Sequence, residues 1–281
     1  MNSNQKNIPR KLWIFWSQGV SQAPFIVRKC INSWKEKNPD WEIFVLNKDN
    51  LSKYIHLDLP SGKFEKLPLA KQSNLIRLQL LSEYGGVWAD ATTFCMKPLN
   101  DWIDDYASSG FFAFYRPGPD RLLSNWFLAC EKGCRIVLKL RENYTAFFAK
   151  HQFNDTDGGY KQEIVKQLSK ILNKSEITSR YWLSPIATKI LGVYPYFIFH
   201  YMFERLISTD AECRIVWENT KKISADGPHR IQTVGFFSSV DENIKKEIDE
   251  MRIPLYKLTW RYDHGMYSPS TLIYYLLEER H

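Results

Sequence analysis

Glu83-Tyr84-Gly85-Gly86-Val87-Trp88-Ala89-Asp90-Ala91-Thr92-Thr93-Phe94 decides how the chain reads. An apolar helix is expected to end at the paired glycines, and a short strand then carries one carboxylate, Asp90, through mostly apolar sequence. A buried, unpaired Asp is strongly unfavourable. Asp90 must therefore be protonated, paired, or bound to a cation at the open end of its strand.

Upstream, residues 69–84 read as the clearest helix. Leu75, Leu78 and Leu81 with Ile76 and Leu80 make a wide apolar face, and Gly85 is placed to stop it. Ser73, Asn74 and Arg77 are neighbours by i, i+3 and i, i+4 spacing, a polar patch that is either solvated or turned to a substrate. Earlier still, Leu12-Trp13-Ile14-Phe15-Trp16 has the continuous apolar character of a buried parallel strand. Ligands of open parallel sheets bind beyond the carboxyl ends of strands, so Trp16, Ser17, Gln18 and Gly19 are placed to meet one; a simple reversing turn is the alternative. Pro24 opens a helix with Phe25, Val27, Cys30, Ile31 and Trp34 at helical spacing, and residues 41–46 form the next strand, completing a βαβ unit.

Downstream, the expectations are a loop at 101–105, a strand at 111–115, a helix at 125–132 and a helix at 136–150. Residues 153–160 read as a solvated turn in which Asp155 and Asp157 only resemble a cation loop. An amphipathic helix follows at 161–173, another runs from Ser184-Pro185 toward Leu191, and the aromatic stretch 194–203 suits a core helix around His200. Gly227-Pro228-His229-Arg230 reads as a loop, 254–260 as a strand, and Ser268-Pro269 as the cap of a last helix. The layout is one domain over 1–281, with an α/β core at 8–125 and a mainly helical region at 126–281.

Composition bounds the rest. With 281 residues, 44% hydrophobic and 15% aromatic, the chain can bury a large core, which excludes a disordered protein. A net charge of +7 favours anionic partners, but lysines and arginines are dispersed along the chain, which argues against nucleic acid. The five cysteines are odd in number and lack a CxxC pair, which points to a reducing compartment; Cys130 and Cys134 read as small buried thiols rather than as a metal pair. The polar N-terminal stretch has no signal-peptide core and no apolar run reaches membrane-span length, so the expected location is cytoplasmic, with contact at the inner face of the membrane left open.

Gly-Gly-Val-Trp-Ala-Asp-Ala-Thr, with Ser73-Asn74-x-x-Arg77 ahead of it, resembles the capsular polysaccharide synthesis family, which is related to glycosyltransferases with an Asp-x-Asp sugar motif. Trp16-Ser17-Gln18-Gly19, Ser33-Trp34 and Asn38-Pro39 match that family's N-terminal pattern. Tyr196-Phe197-x-Phe199-His200, Pro228-His229 and Tyr256-Lys257-Leu258-Thr259 match more loosely. The resemblance implies a GT-A (Rossmann-like) nucleotide-sugar-binding core with a helical acceptor-side half. It also implies a nucleotide-sugar donor, a UDP-sugar first, and Mn2+ or Mg2+ between Asp90 and the diphosphate. The implied product is a retained linkage on a glycan or a lipid-diphosphate-linked oligosaccharide.

On that reading Asp90, Thr92 and His264 are candidate metal ligands. Asp90, Arg77, His200 and His229 are candidate catalytic groups. Trp16, Gln18, Gly19, Ser73, Asn74, Arg77 and Lys257 are candidate donor contacts. The chain departs from the pattern twice: Thr92 stands at the second Asp, and Asn74 stands where the family has Asp after Ser. A neutral amide can hydrogen-bond a sugar but cannot act as a base. The alternatives are a protein-modifying glycosyltransferase and a non-catalytic carbohydrate-binding protein of the same fold.

Overall fold

Alternation along strand β1 (Lys11–Phe15) divides the interior in two. Leu12 and Ile14 enter one core, whereas Trp13 and Phe15 enter the other, as a period of two requires in a sheet covered on both faces. The computed structural model describes residues 7–151 and 160–279. From β1 the chain passes through helix α1 (Phe25–Lys37) into β2 (Glu42–Leu46), which pairs parallel to β1 as the βαβ reading expects. Helix α2 (Leu69–Tyr84) has the expected bounds and delivers the chain to β3 (Gly86–Ala89), parallel to β1 in the register Trp13↔Trp88.

The paired glycines make this passage possible. Gly85, at φ 66°, donates its N–H to the Leu81 carbonyl, and Gly86 follows at φ 91°. A Cβ on Gly86 would lie 2.4 Å from the Lys11 carbonyl oxygen, and one on Gly85 would lie 2.7 Å from the Lys132 nitrogen. Both backbone angle and space therefore require glycine.

β3 is shorter than the sequence suggests. It ends at Ala89, and residues 90–92 turn the chain out of the main sheet, with the Thr93 N–H donating to the Asp90 carbonyl at 2.9 Å. β4 (Thr93–Cys95) then belongs to a separate two-stranded sheet, to which the late strand β7 (Leu255–Lys257) returns antiparallel. Trp34 of α1 holds this turn by donating Nε1–H to the Thr93 carbonyl at 2.9 Å.

The helix expected at 125–132 is instead part of a strand. β5 (Phe111–Gly118) and β6 (Arg121–Cys130) form an antiparallel hairpin, and the main sheet runs β2-β1-β3-β6-β5. Because β6 lies between β3 and β5 with apolar side chains on both faces, Trp126-Phe127-Leu128-Ala129 shows no polar alternation, and a short apolar run of that kind does not separate helix from strand. The boundary expected at 125 thus falls inside β6. The stretch 101–105, expected as a loop, instead joins the end of a turn at Leu99–Asp101 to the short helix α3 (Ile103–Tyr106).

Beyond the hairpin the chain is mainly helical, with α4 (Arg135–Lys150), α5 (Tyr160–Leu172), α6 (Glu176–Ser179), a wide π-turn at Ile186–Leu191, and α7 (Ile198–Thr209), which starts four residues later than the aromatic run. Helices at Ala211–Asn219, Arg230–Val234 and Glu242–Asp249 were not expected from the sequence. The turn with Asp155 and Asp157 lies outside the described residues. α2, α4 and α7 cover one face of the sheet, while α1 and the C-terminal segment cover the other. All five cysteines are buried and free. Among the described residues, no helix is long and apolar enough to cross a membrane.

Gly86→Ala is expected to lower the unfolding free energy by about 2 kcal/mol or more, through positive-φ strain and the clash with Lys11. Urea unfolding measures this. An unchanged midpoint would show that β3 can move away from β1.

Candidate active site

Asp90 sits at the carboxyl end of β3, where the chain leaves the sheet. Its own N–H donates to the Trp126 carbonyl of β6 at 2.8 Å, which fixes its backbone just past the last ladder pair. The side chain, 27% exposed, accepts at Oδ1 from Arg77 Nη2 at 3.1 Å and from Trp88 Nε1 at 3.0 Å, and at Oδ2 from Lys257 Nζ at 3.1 Å. The same ammonium donates to Thr92 Oγ1 at 2.5 Å. One carboxylate therefore joins α2, the main sheet and the second sheet.

Arg77 is buried, with 4% of its side chain exposed. Its guanidinium lies over the Trp88 ring at 4.9 Å and also donates to the Ser73 carbonyl, the Ser73 hydroxyl and the Asn125 carbonyl. Every nitrogen has a use, as a buried planar cation requires. Burial alone would push the Asp90 carboxyl upward, but Lys257 and then Arg77 outweigh it and hold the group below its ordinary 3.8. Asp90 is therefore ionised at neutral pH. Two cations against one anion leave the pocket with a local positive excess, suited to an anionic ligand.

Of the residues singled out in sequence, Asp90, Arg77, Ser73, Thr92 and Lys257 come together. Asn74 lies beside them in a closed amide chain: Asn125 Nδ2 donates to its oxygen at 3.0 Å, and its own Nδ2 donates to the Tyr144 hydroxyl at 2.9 Å. Its role in this structure is to hold α2 to β6 and α4. Trp16, Gln18 and Gly19 form the turn at the carboxyl end of β1, and the Trp13↔Trp88 register sets this turn level with Asp90. Gly19 has φ 80°, Gln18 is exposed, and the buried Trp16 Nε1–H has no partner among the described residues.

The histidines separate. His229 stands 5.5 Å from the Trp126 ring, and burial, with Lys257 and Arg121 nearby, lowers its pKa, so it is neutral at pH 7. The Lys257 N–H donates to the carbonyl of Pro228, which sets His229 at the same edge as Asp90. His200 is buried within α7, its Nδ1 without a partner among the described residues, and burial first, then Arg121, drives its pKa well below the ordinary value. His264 makes its contacts elsewhere, with Glu278 at 2.8 Å and stacked on Phe25 at 3.8 Å. Its expected place as a metal ligand beside Asp90 is not what the fold builds, because the loop after β7 carries it to the N-terminus of α1.

Sequence reasoning missed Trp88, Asn125, Tyr144 and Lys71. Only Trp88 left a trace, since alternation sets it on the α2 face of β3 while its neighbours Val87 and Ala89 enter the other core. Lys71 lies on α2 ahead of Ser73, buried, donating to the Pro195 and Tyr196 carbonyls over the Tyr194 and Tyr196 rings. Burial pulls its ammonium from 10.5 down to about 7.

With its folded value below its unfolded one, Lys71 binds its proton more weakly in the folded chain. Its contribution to stability therefore rises with pH from about 7 to 10.5, and the penalty is complete below 7. Lys71→Met should gain more stability at pH 6 than at pH 8.5, by on the order of 2 kcal/mol. Urea unfolding of both proteins at both pH values checks this, and an equal gain would show that Lys71 does not titrate in that window.

An O-glycosyltransferase of Annulohypoxylon truncatum, braB, is 30% identical over 153 residues, covering 47% of this chain and 36% of that protein. An initiation-specific alpha-1,6-mannosyltransferase of Candida albicans is 24% identical over 234 residues, covering 77% of this chain and 58% of that one. The chain thus spans well under two thirds of the length of these relatives. Among solved structures, the PaToxG glycosyltransferase aligns over 68% of this chain and 80% of its own at 15% identity, with a TM-score of 0.39. The profile of capsular polysaccharide synthesis proteins matches residues 1–156, more than half of the 281, and the chain belongs to that family.

Proposed function

We propose that the chain is a glycosyltransferase of GT-A type that moves a sugar from a nucleotide-sugar donor, a UDP-sugar first, to a glycan or lipid-diphosphate-linked acceptor. The observation that carries this reading is the cation-flanked Asp90 at the open end of the parallel strands. The carboxyl ends of β1 and β3 are where an open sheet receives a nucleotide. There, Trp16, Gln18 and Gly19 meet the nucleotide and Ser73 the sugar, while the buried Arg77 acts on the diphosphate through its charge from behind Asp90. Names of relatives such as the mannosyltransferase of Candida albicans support transfer of a hexose.

Asp90 Oδ2 and Thr92 Oγ1 converge on a single point, filled by the Lys257 ammonium. Two hard oxygen donors aimed at one cation position fit a dication once Lys257 has moved aside. Among the described residues no group of three or more acidic, His or Cys side chains supplements them, so the donor diphosphate would complete the coordination. A dication there supplies Lewis-acid neutralisation of the leaving diphosphate.

The chain's own residues do the rest. Arg77 fixes Asp90, and Lys257 is free to follow the diphosphate as its charge grows. In the retaining step the sugar's anomeric carbon–oxygen bond to the diphosphate breaks, a bond to the acceptor oxygen forms on the same face, and the acceptor proton passes to the departing phosphate. His229, neutral and close enough to Lys257 to feel its charge, is the candidate for a further base. The +7 charge suits work at an anionic membrane face, where a lipid-linked acceptor resides.

A UDP-sugar panel assayed for donor hydrolysis with Mn2+, Mg2+ or chelator tests this reading. Asp90→Asn should lower turnover by about a hundredfold or more, measured below the variant's lowered melting temperature, where circular dichroism shows it folded. Sugar binding without turnover, insensitive to metal and to Asp90→Asn, would establish the non-catalytic reading instead.

A further inference from the structure

Beyond β7 the chain builds a cavity of 590 Å³ whose lining includes Gln232, Phe237, Thr259, Arg261 and Tyr262. That volume lies within the roughly 300–1,000 Å³ of small-ligand sites. Its rim is tied to the site around Asp90. Leu258 N–H donates to the Thr92 carbonyl at 2.8 Å, and Gln232 Nε2 donates to the Lys257 carbonyl at 2.8 Å. Thr259, the residue after Leu258, is already part of the wall.

The lining has the chemistry of a sugar site. Tyr262 is 37% exposed, with Phe237 edge-on to it at 4.9 Å; outside the lining, between the wall residues Thr259 and Arg261, Trp260 is 53% exposed and stands edge-on to Trp16 at 6.1 Å. Flat aromatic surface matches the apolar C–H face of a pyranose ring, while the Gln232 amide and Thr259 hydroxyl are polar partners for its hydroxyls. Arg261 adds charge. It is exposed and has no ion pair or hydrogen bond among the described residues. An unpaired guanidinium at a cavity wall recognises a carboxylate or phosphate through paired, parallel hydrogen bonds.

We infer that this cavity is the acceptor subsite and that it selects a glycan bearing an anionic group, carboxylate or phosphate, held by Arg261. The inference rests on the glycosyl-transfer reading above and adds to it the class of acceptor. Thr259, in the cavity wall, is two residues from Lys257, whose ammonium bonds Asp90 and Thr92, so the cavity adjoins that position along the chain.

The test uses three probes on the full chain by calorimetry or saturation-transfer NMR: para-nitrophenyl glucuronide, a hexose monophosphate, and neutral para-nitrophenyl glucoside. At least one anionic probe should bind about tenfold more tightly than the glucoside, the worth of one charge-assisted contact. The two anionic arms show whether the group is carboxylate or phosphate. Arg261→Gln should abolish the preference and Arg261→Glu reverse it, while Tyr262→Ala should weaken all three probes. Equal binding of charged and neutral probes, no binding of any, or a preference that survives Arg261→Gln would overturn the inference. UDP affinity of the wild-type protein, measured in parallel, reports on the glycosyl-transfer reading separately: loss of that reading shows as failure to bind UDP, loss of this one as failure to discriminate acceptors.

Discussion

Three elements distant in sequence meet in the ion pairs of Asp90 with Arg77 and Lys257. Arg77 comes from the helix before the strand, Asp90 from the strand's end, and Lys257 from a strand that returns after more than a hundred residues. Each charge is costly to desolvate alone, and Arg77 is almost wholly buried. Together they satisfy one another, so the small sheet of β4 and β7 is held against the main sheet by the same groups to which the proposed function assigns the donor.

The close approach of backbones sets that geometry. Gly85 and Gly86 bring the end of α2 directly onto β3, so the Arg77 side chain reaches the end of the four-residue strand across the Trp88 ring. A longer connection would have moved the guanidinium away from the carboxylate. The turn at 90–92 then carries the next strand into a second sheet, which gives Thr92 and Lys257 access to the same carboxylate oxygen side. The positive excess that results is a property of the assembled edge, not of any one segment.

Where local pattern and tertiary role coincide, the sequence was legible. The βαβ start, the bounds of α2, the glycine stop and the need of Asp90 for a charged partner all follow from periodicity, capping and the cost of burying charge. β6 was not legible, because a central strand with apolar side chains on both faces loses its alternation and reads as a helix. Asn74 was legible as a departure from a pattern but not as the middle of an Asn125–Asn74–Tyr144 chain, since its partners lie 51 and 70 residues away. His264 was grouped with Asp90 by residue type, and the fold set it against Phe25 and Glu278 instead.

By itself the sequence determined the α/β start, the helix-to-strand passage that only glycine permits, and the single carboxylate at its end, because these depend on near neighbours in the chain. Only the tertiary structure decided what that carboxylate faces: Arg77, Trp88 and the ammonium of Lys257, with Thr92 completing a cation position. Partners 165 and 167 residues apart are brought together by strand pairing and packing, and no local pattern encodes a contact whose free energy depends on mutual desolvation in the folded chain.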